Sequence, residues 1–172
     1  MKKVYIAAVM CTVVALSGSL VGCKKRYVSP LETPAMTKAP EDKAYEFDFD
    51  QLNNDVIEEL QDKEIYSFVK AVDVSGDNEK KEIVLTIDID KDVSDDAVEL
   101  LLTDATKAIV DGAQTQDFRI DGWNEEGFGN LFELYGYTYN VTSGDETVRE
   151  ETLNVGDSVP FDPTLTLEQV IG

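Results

Sequence analysis

Two periods alternate along this chain. From position 50, "DQLNNDVIEELQD" sets Leu52, Val56 and Leu60 at helical spacing with Ile57 beside them. Its acidic start suits a helix N-terminus, where unpaired backbone N–H groups leave partial positive charge. A short amphipathic helix is expected over 50–62. The period then drops to two. "EIYSFVKAVDV" alternates Tyr66, Phe68, Val72 and Val74, and "KEIVLTIDID" alternates Ile83, Leu85, Ile87 and Ile89, the pattern of strands with one apolar face. "SGDNEKK" between them reads as a turn, which makes the pair a hairpin.

The helical period returns after Ser94. Val98, Leu101, Leu102, Ala105 and Ile109 share one face, with Ser94 placed as N-cap and Gly112 just past the expected end. A loop is expected over 114–130. "NLFELYG" then reads equally as one helical turn closed by Gly136, before "YGYTYNVTSGDETVREETLNV" supplies a second strand pair around Ser143–Asp145. In that pair Tyr135, Tyr137 and Tyr139 alternate with Thr138, Asn140 and Thr142. The polar set belongs in water, which sends the tyrosines to the core.

Helix, hairpin, helix, hairpin implies an α+β domain in two layers: a four-stranded, mainly antiparallel sheet with one or two helices packed on one face. Both hairpins turn at "SGD", a hint of a duplicated unit carried by only three turn-favoured residues. The expected organisation is a signal segment over 1–22, a tether over 23–45, the α+β domain over 46–157 and an irregular tail over 158–172. The tether expectation rests on three prolines and the absence of periodicity in "KKRYVSPLETPAMTKAPEDKAY".

Composition narrows the chemistry. The formal charge is −20, so phosphate backbones lack the clustered Lys and Arg they need and nucleic acid is not an expected partner. His is absent, which removes the usual general acid, general base and imidazole metal ligand. No Gly-rich phosphate loop and no His or Cys ligand cluster stands in the sequence, and no cofactor is expected.

The N-terminus carries an address. "MKKVYIAAVMCTVVALSGSLVGC" runs from two lysines through an uncharged apolar stretch to small residues and Cys23, the layout of a secretory signal peptide. The apolar run falls short of the roughly 20 residues of a membrane span. Leu20-Val21-Gly22-Cys23 resembles the lipobox of bacterial lipoproteins at all four positions. The resemblance implies cleavage before Cys23, diacylglycerol on its thiol and a membrane-anchored protein on the extracytoplasmic face. Cys11 leaves with the signal and Cys23 is blocked, so the mature chain keeps no free thiol and no disulfide. Removal of 1–22 leaves 13 basic against 35 acidic side chains, a formal −22. Lys24, Lys25 and Arg26 would lie at the lipid surface, where anionic headgroups favour them.

Three constellations invite chemical readings. "DIDKDVSDDAVE", over 88–99, has the acid spacing of an EF-hand calcium loop. However, Val93 holds the step where the loop turns on glycine, and Asp88 and Asp90 share a strand face about 6.6 Å apart. Strand surface followed by a helix cap accounts for every acid. Asp90, Asp92 and Asp95 remain candidates only for a weak calcium site, and no metal ligand is assigned. Trp123, alone of its type, lies in the 114–130 loop and is the candidate ligand contact. Glu125 and Glu126 beside it suggest a glycosidase carboxylate pair, but such pairs face each other across a cleft instead of neighbouring in sequence. The reading is a lipid-anchored binding or interaction module rather than an enzyme, with a protein or glycan partner unidentified. The alternative is an enzyme or accessory protein acting on cell-wall or exogenous polysaccharide.

Overall fold

The computed structural model describes residues 44–61 and 64–171. The signal segment, Cys23 and all of the expected tether before Ala44 lie outside these residues. Helix α1 spans Phe49–Gln61 and buries Leu52, Val56 and Leu60, the three positions its period selects. Asp48 Oδ1 accepts the Gln51 N–H at 3.1 Å, satisfying one donor of the first turn.

Strand β1 covers Val69–Asp77 and β2 covers Glu82–Ile89. On β2 the four expected residues, Ile83, Leu85, Ile87 and Ile89, are all buried. The start of β1 differs from expectation: Glu64–Tyr66 form a 3-10 turn. Tyr66 is buried there because its hydroxyl reaches Asp104 Oδ2 at 2.7 Å, a partner that a strand position would not supply. The turn also begins later than "SGDNEKK" suggests. Ser75, Gly76 and Asp77 pair with Val84, Ile83 and Glu82. A Cβ on Gly76 would stand 2.3 Å from the Phe49 ring and 2.6 Å from the Glu82 carbonyl, so glycine serves close approach there.

Helix α2 runs Asp95–Gln116 behind the Ser94 N-cap, whose side chain accepts from the Ala97 N–H. It continues four residues beyond Gly112, which was expected to end it. A Cβ on Gly112 would lie 2.6 Å from Leu52 Cδ1, so this glycine serves the close packing of α1 against α2, inside the helix.

A 3-10 turn at Leu131–Glu133 precedes strand β3, Gly136–Ser143, and β4, Glu146–Leu153, follows. The sheet order is β1-β2-β3-β4. The outer pairs are antiparallel and the central pair, β2 with β3, is parallel. This mixed, mostly antiparallel sheet follows from the connection. A 22-residue helix is about 33 Å long, enough to carry the chain back along β2 so that β3 starts at the same end.

The apolar faces of β2 and β3 meet the helices in one core. Tyr135, Tyr137 and Tyr139 are fully buried, as the strand alternation predicts. The Tyr137 hydroxyl lies 3.1 Å from Thr106 Oγ1 on α2, and the rings of Phe132, Tyr137, Tyr139 and Phe161 pack in sequence, tilted to one another, at centroid distances of 4.8 to 5.8 Å. The residues after 157 take part: Phe161 is buried, and Leu167–Ile171 form the short helix α3. The opposite face, including Thr86, Thr138, Asn140 and Thr142, is half-buried and polar, because no described helix covers it. Among the described residues no helix is long and apolar enough to cross a membrane.

Candidate functional site

The acidic loop resolves first. Asp90 pairs with Lys70 at 3.2 Å, and Asp88 Oδ1 accepts the Gly144 N–H at 3.3 Å. Asp92 turns the chain at φ 64, a conformation Asp tolerates better than most residues. Asp95 opens α2 behind its cap. Asp88 and Asp90 thus have partners within the protein. Among the described residues, no group of three or more His, Cys, Asp or Glu side chains is arranged to hold a metal.

Trp123 sits between α2 and the Leu131–Glu133 turn and is 39% exposed. Its Nε1–H donates to Asp111 Oδ2 at 3.1 Å, and the Lys107 ammonium lies 4.7 Å from the ring centroid. Lys107 and Asp111 are one turn apart on α2, so both reach the same indole. Lys107 also pairs with Asp104 at 3.5 Å, and Asp104 accepts the Tyr66 hydroxyl. A chain of polar contacts therefore runs from the 3-10 turn before β1 along α2 to the Trp123 loop. Burial, and secondarily the hydrogen bond to Asp104, pushes the Tyr66 hydroxyl well above the usual tyrosine range. Beyond Trp123 the chain closes a tight turn, with Asn124 and Gly127 exchanging backbone hydrogen bonds at 2.9 and 3.2 Å. Glu125 and Glu126 are side by side and exposed at its tip.

Asp111 also lines a shallow groove of about 270 Å³ between α1 and α2. Gln51, Asp55 and Glu59 come from successive turns of α1, while Ala108, Asp111, Gly112 and Thr115 come from α2. The close helix approach at Gly112 and the small Ala108 make its floor. Its rim brings two carboxylates of α1, Asp55 and Glu59, beside one of α2, Asp111, which is distant in sequence. In water-exposed geometry such a rim accepts hydrogen bonds from ammonium, guanidinium or hydroxyl groups.

Sequence reasoning singled out Trp123 but not Asp55, Glu59 or Asp111. Their only local signal is the i, i+4 spacing of Asp55 and Glu59 on the polar side of α1, which resembles any solvated helix face. Comparison with protein-family models, with curated proteins and with solved structures found no match. The class defined by the fold is a two-layer α+β domain with a mixed four-stranded sheet.

Proposed function

We propose that the protein is a bacterial lipoprotein, anchored through Cys23 on the extracytoplasmic face of a membrane, whose acidic domain binds a cationic partner. The anchor rests on the signal sequence and the lipobox resemblance. The binding reading is carried by one observation: a half-exposed Trp123 fastened to Asp111 at the groove between α1 and α2. From position 44 onward the chain holds 8 basic and 32 acidic side chains, a formal −24. Such a field attracts cationic partners and repels anionic headgroups, which keeps the domain off the lipid surface while the anchor keeps it near. Side chains ending in ammonium or guanidinium fit the groove, because its small floor admits an aliphatic stem while Asp55, Glu59 and Asp111 meet the charge.

Two measurements test the reading. Cys23→Ser is expected to move the chain out of the membrane fraction or leave its precursor uncut; a processed, membrane-bound Cys23→Ser protein overturns the anchor. Tetralysine titrated at physiological salt is expected to shift the emission of the single Trp, and the response is expected to weaken several-fold in Asp55→Asn/Glu59→Gln. An unchanged response in that variant removes the groove from the reading.

A further inference from the structure

The two edges of the sheet are treated differently. Along β1, helix α1 packs against the strand, and the outward Val74 N–H donates to Asn53 Oδ1 of that helix at 2.8 Å. The β1 edge is thereby closed over part of its length. Strand β4 is the other edge. It has eight residues, Glu146–Leu153, without Pro or Lys, and seven of the eight are exposed or half-exposed; a bulge at Val148 interrupts it near its start and leaves Arg149–Leu153 regular. Among the described residues none makes a hydrogen bond to its outer backbone edge; its ladder bonds all go to β3. An open edge of this length is a template for a further strand, and folded proteins commonly blunt such edges.

The side chains of β4 select what it can accept. Glu150 and Thr152 pair with Asn140 and Thr138 on the open face, while Arg149 and Glu151 pair with Val141 and Tyr139 on the helix face. Arg149 is engaged by Glu99 at 3.3 Å, and Glu151 accepts the Tyr139 hydroxyl. Glu150 is exposed beside the edge on the open face, whereas the bulge at Val148 turns the exposed Glu146 to the other face, opposite Ser143. A second copy of this chain is a poor occupant. Two domains of formal −24 repel each other, and a twofold pairing centred at Glu150 sets the same carboxylate opposite itself. An extended segment with Lys or Arg opposite Glu150 reverses both objections. Next to the edge, Asp95, Val98, Val148 and Arg149 line a hollow of about 270 Å³ at the start of α2. It is partly apolar and suits one further side chain of the incoming strand.

We infer that β4 is a docking edge for an extended, basic segment of a partner protein, which adds to the sheet as a fifth strand. The inference takes only the sign of the partner's charge from the proposed function and places the contact on a different surface. Backbone hydrogen bonds supply the attachment, and cross-strand pairing with Glu150, in the acidic field of the domain, supplies the selection.

The test uses the full chain in neutral detergent and a synthetic peptide of alternating Lys and Val. Amide hydrogen exchange is expected to slow along β4 on peptide addition, with no change on β1. Glu150→Lys is expected to weaken binding about threefold, as one cross-strand attraction becomes a repulsion. The same peptide with every backbone nitrogen methylated is expected to lose binding, since it keeps its charge but has no edge donors left. Equal binding by the methylated peptide shows charge attraction without strand addition and overturns the inference. Protection confined to the helices, or no weakening in the charge-reversed variant, overturns it as well. Failure here leaves the groove reading standing, because Asp55→Asn/Glu59→Gln does not touch β4.

Discussion

Replacing Gly112 by Ala separates two roles a glycine can have in this sequence. If Gly112 ended α2, an added Cβ would cost about 1 kcal/mol whatever surrounds it. Inside the helix the balance is different. Ala gains about 0.8–1.0 kcal/mol of helix propensity over Gly. Against this, the new Cβ would stand 2.6 Å from Leu52 Cδ1, a fully buried side chain, so one of the two must move by roughly 1 Å for ordinary contact. Overpacking of this kind costs about 1–3 kcal/mol. The expected net effect of Gly112→Ala is a loss of about 1 kcal/mol. Leu52→Ala alone should cost about 2–5 kcal/mol by emptying its site. In that background the clash is gone and the propensity gain remains, so Gly112→Ala should stabilise by about 1 kcal/mol. The sign reversal corresponds to a coupling of about 2 kcal/mol between contacting residues. Urea unfolding of the four proteins, followed by far-ultraviolet circular dichroism at constant slope, measures it. Equal effects of Gly112→Ala in both backgrounds would refute the close-approach argument.

Alkaline stability and calcium provide two further checks. Burial, reinforced by its hydrogen bond to Glu151, pushes Tyr139 up to about 12, and burial pushes Tyr66 and Tyr137 up as well. Unfolded tyrosine ionises near about 10. Because the folded pKa lies above the unfolded one, the contribution is complete below about pH 10 and is lost as pH rises toward 12. The melting temperature should be level to about pH 9.5 and then fall, less steeply in Tyr139→Phe; a level profile to pH 12 contradicts the buried tyrosine core. Calcium at several millimolar should leave the melting temperature where magnesium leaves it, since Asp90 already pairs with Lys70 and Asp88 with the Gly144 N–H. A calcium-specific rise abolished by Asp90→Asn would restore the metal reading.

What the sequence shows is what neighbours decide. The period of two along Ile83–Ile89 and Tyr135–Tyr139, and the period of 3.6 through Leu52, Val56 and Leu60, each report a buried face, and those faces are buried. Ser94 is legible as a cap because its bond to the Ala97 N–H spans three residues. Tyr66 continues the strand alternation on paper, yet its hydroxyl finds Asp104 only from a 3-10 turn. That partner lies 38 residues away, and no local pattern announces it. The parallel pairing of β2 with β3 is hidden for the same reason. Two hairpins flanking a helix are compatible with either relative direction, and the helix length settles which end of the sheet β3 starts from.

The candidate site is the extreme case of this limit. Asp55 and Glu59 read as the wet side of α1, and Asp111 as a polar residue near the end of α2; nothing in either segment marks them as one rim. They converge because Gly112 lets the two helices approach, and Gly112 in turn looks like a helix terminator until Leu52 is placed beside it. Trp123 shows the converse. A lone tryptophan in a loop suggests a free contact residue, but Lys107 and Asp111 hold one face and the Nε1–H of its ring. Only the remaining exposed part of the indole is available to a partner. Asp111 serves both the indole and the groove, which makes the rim acids, not the aromatic ring, the first residues to substitute.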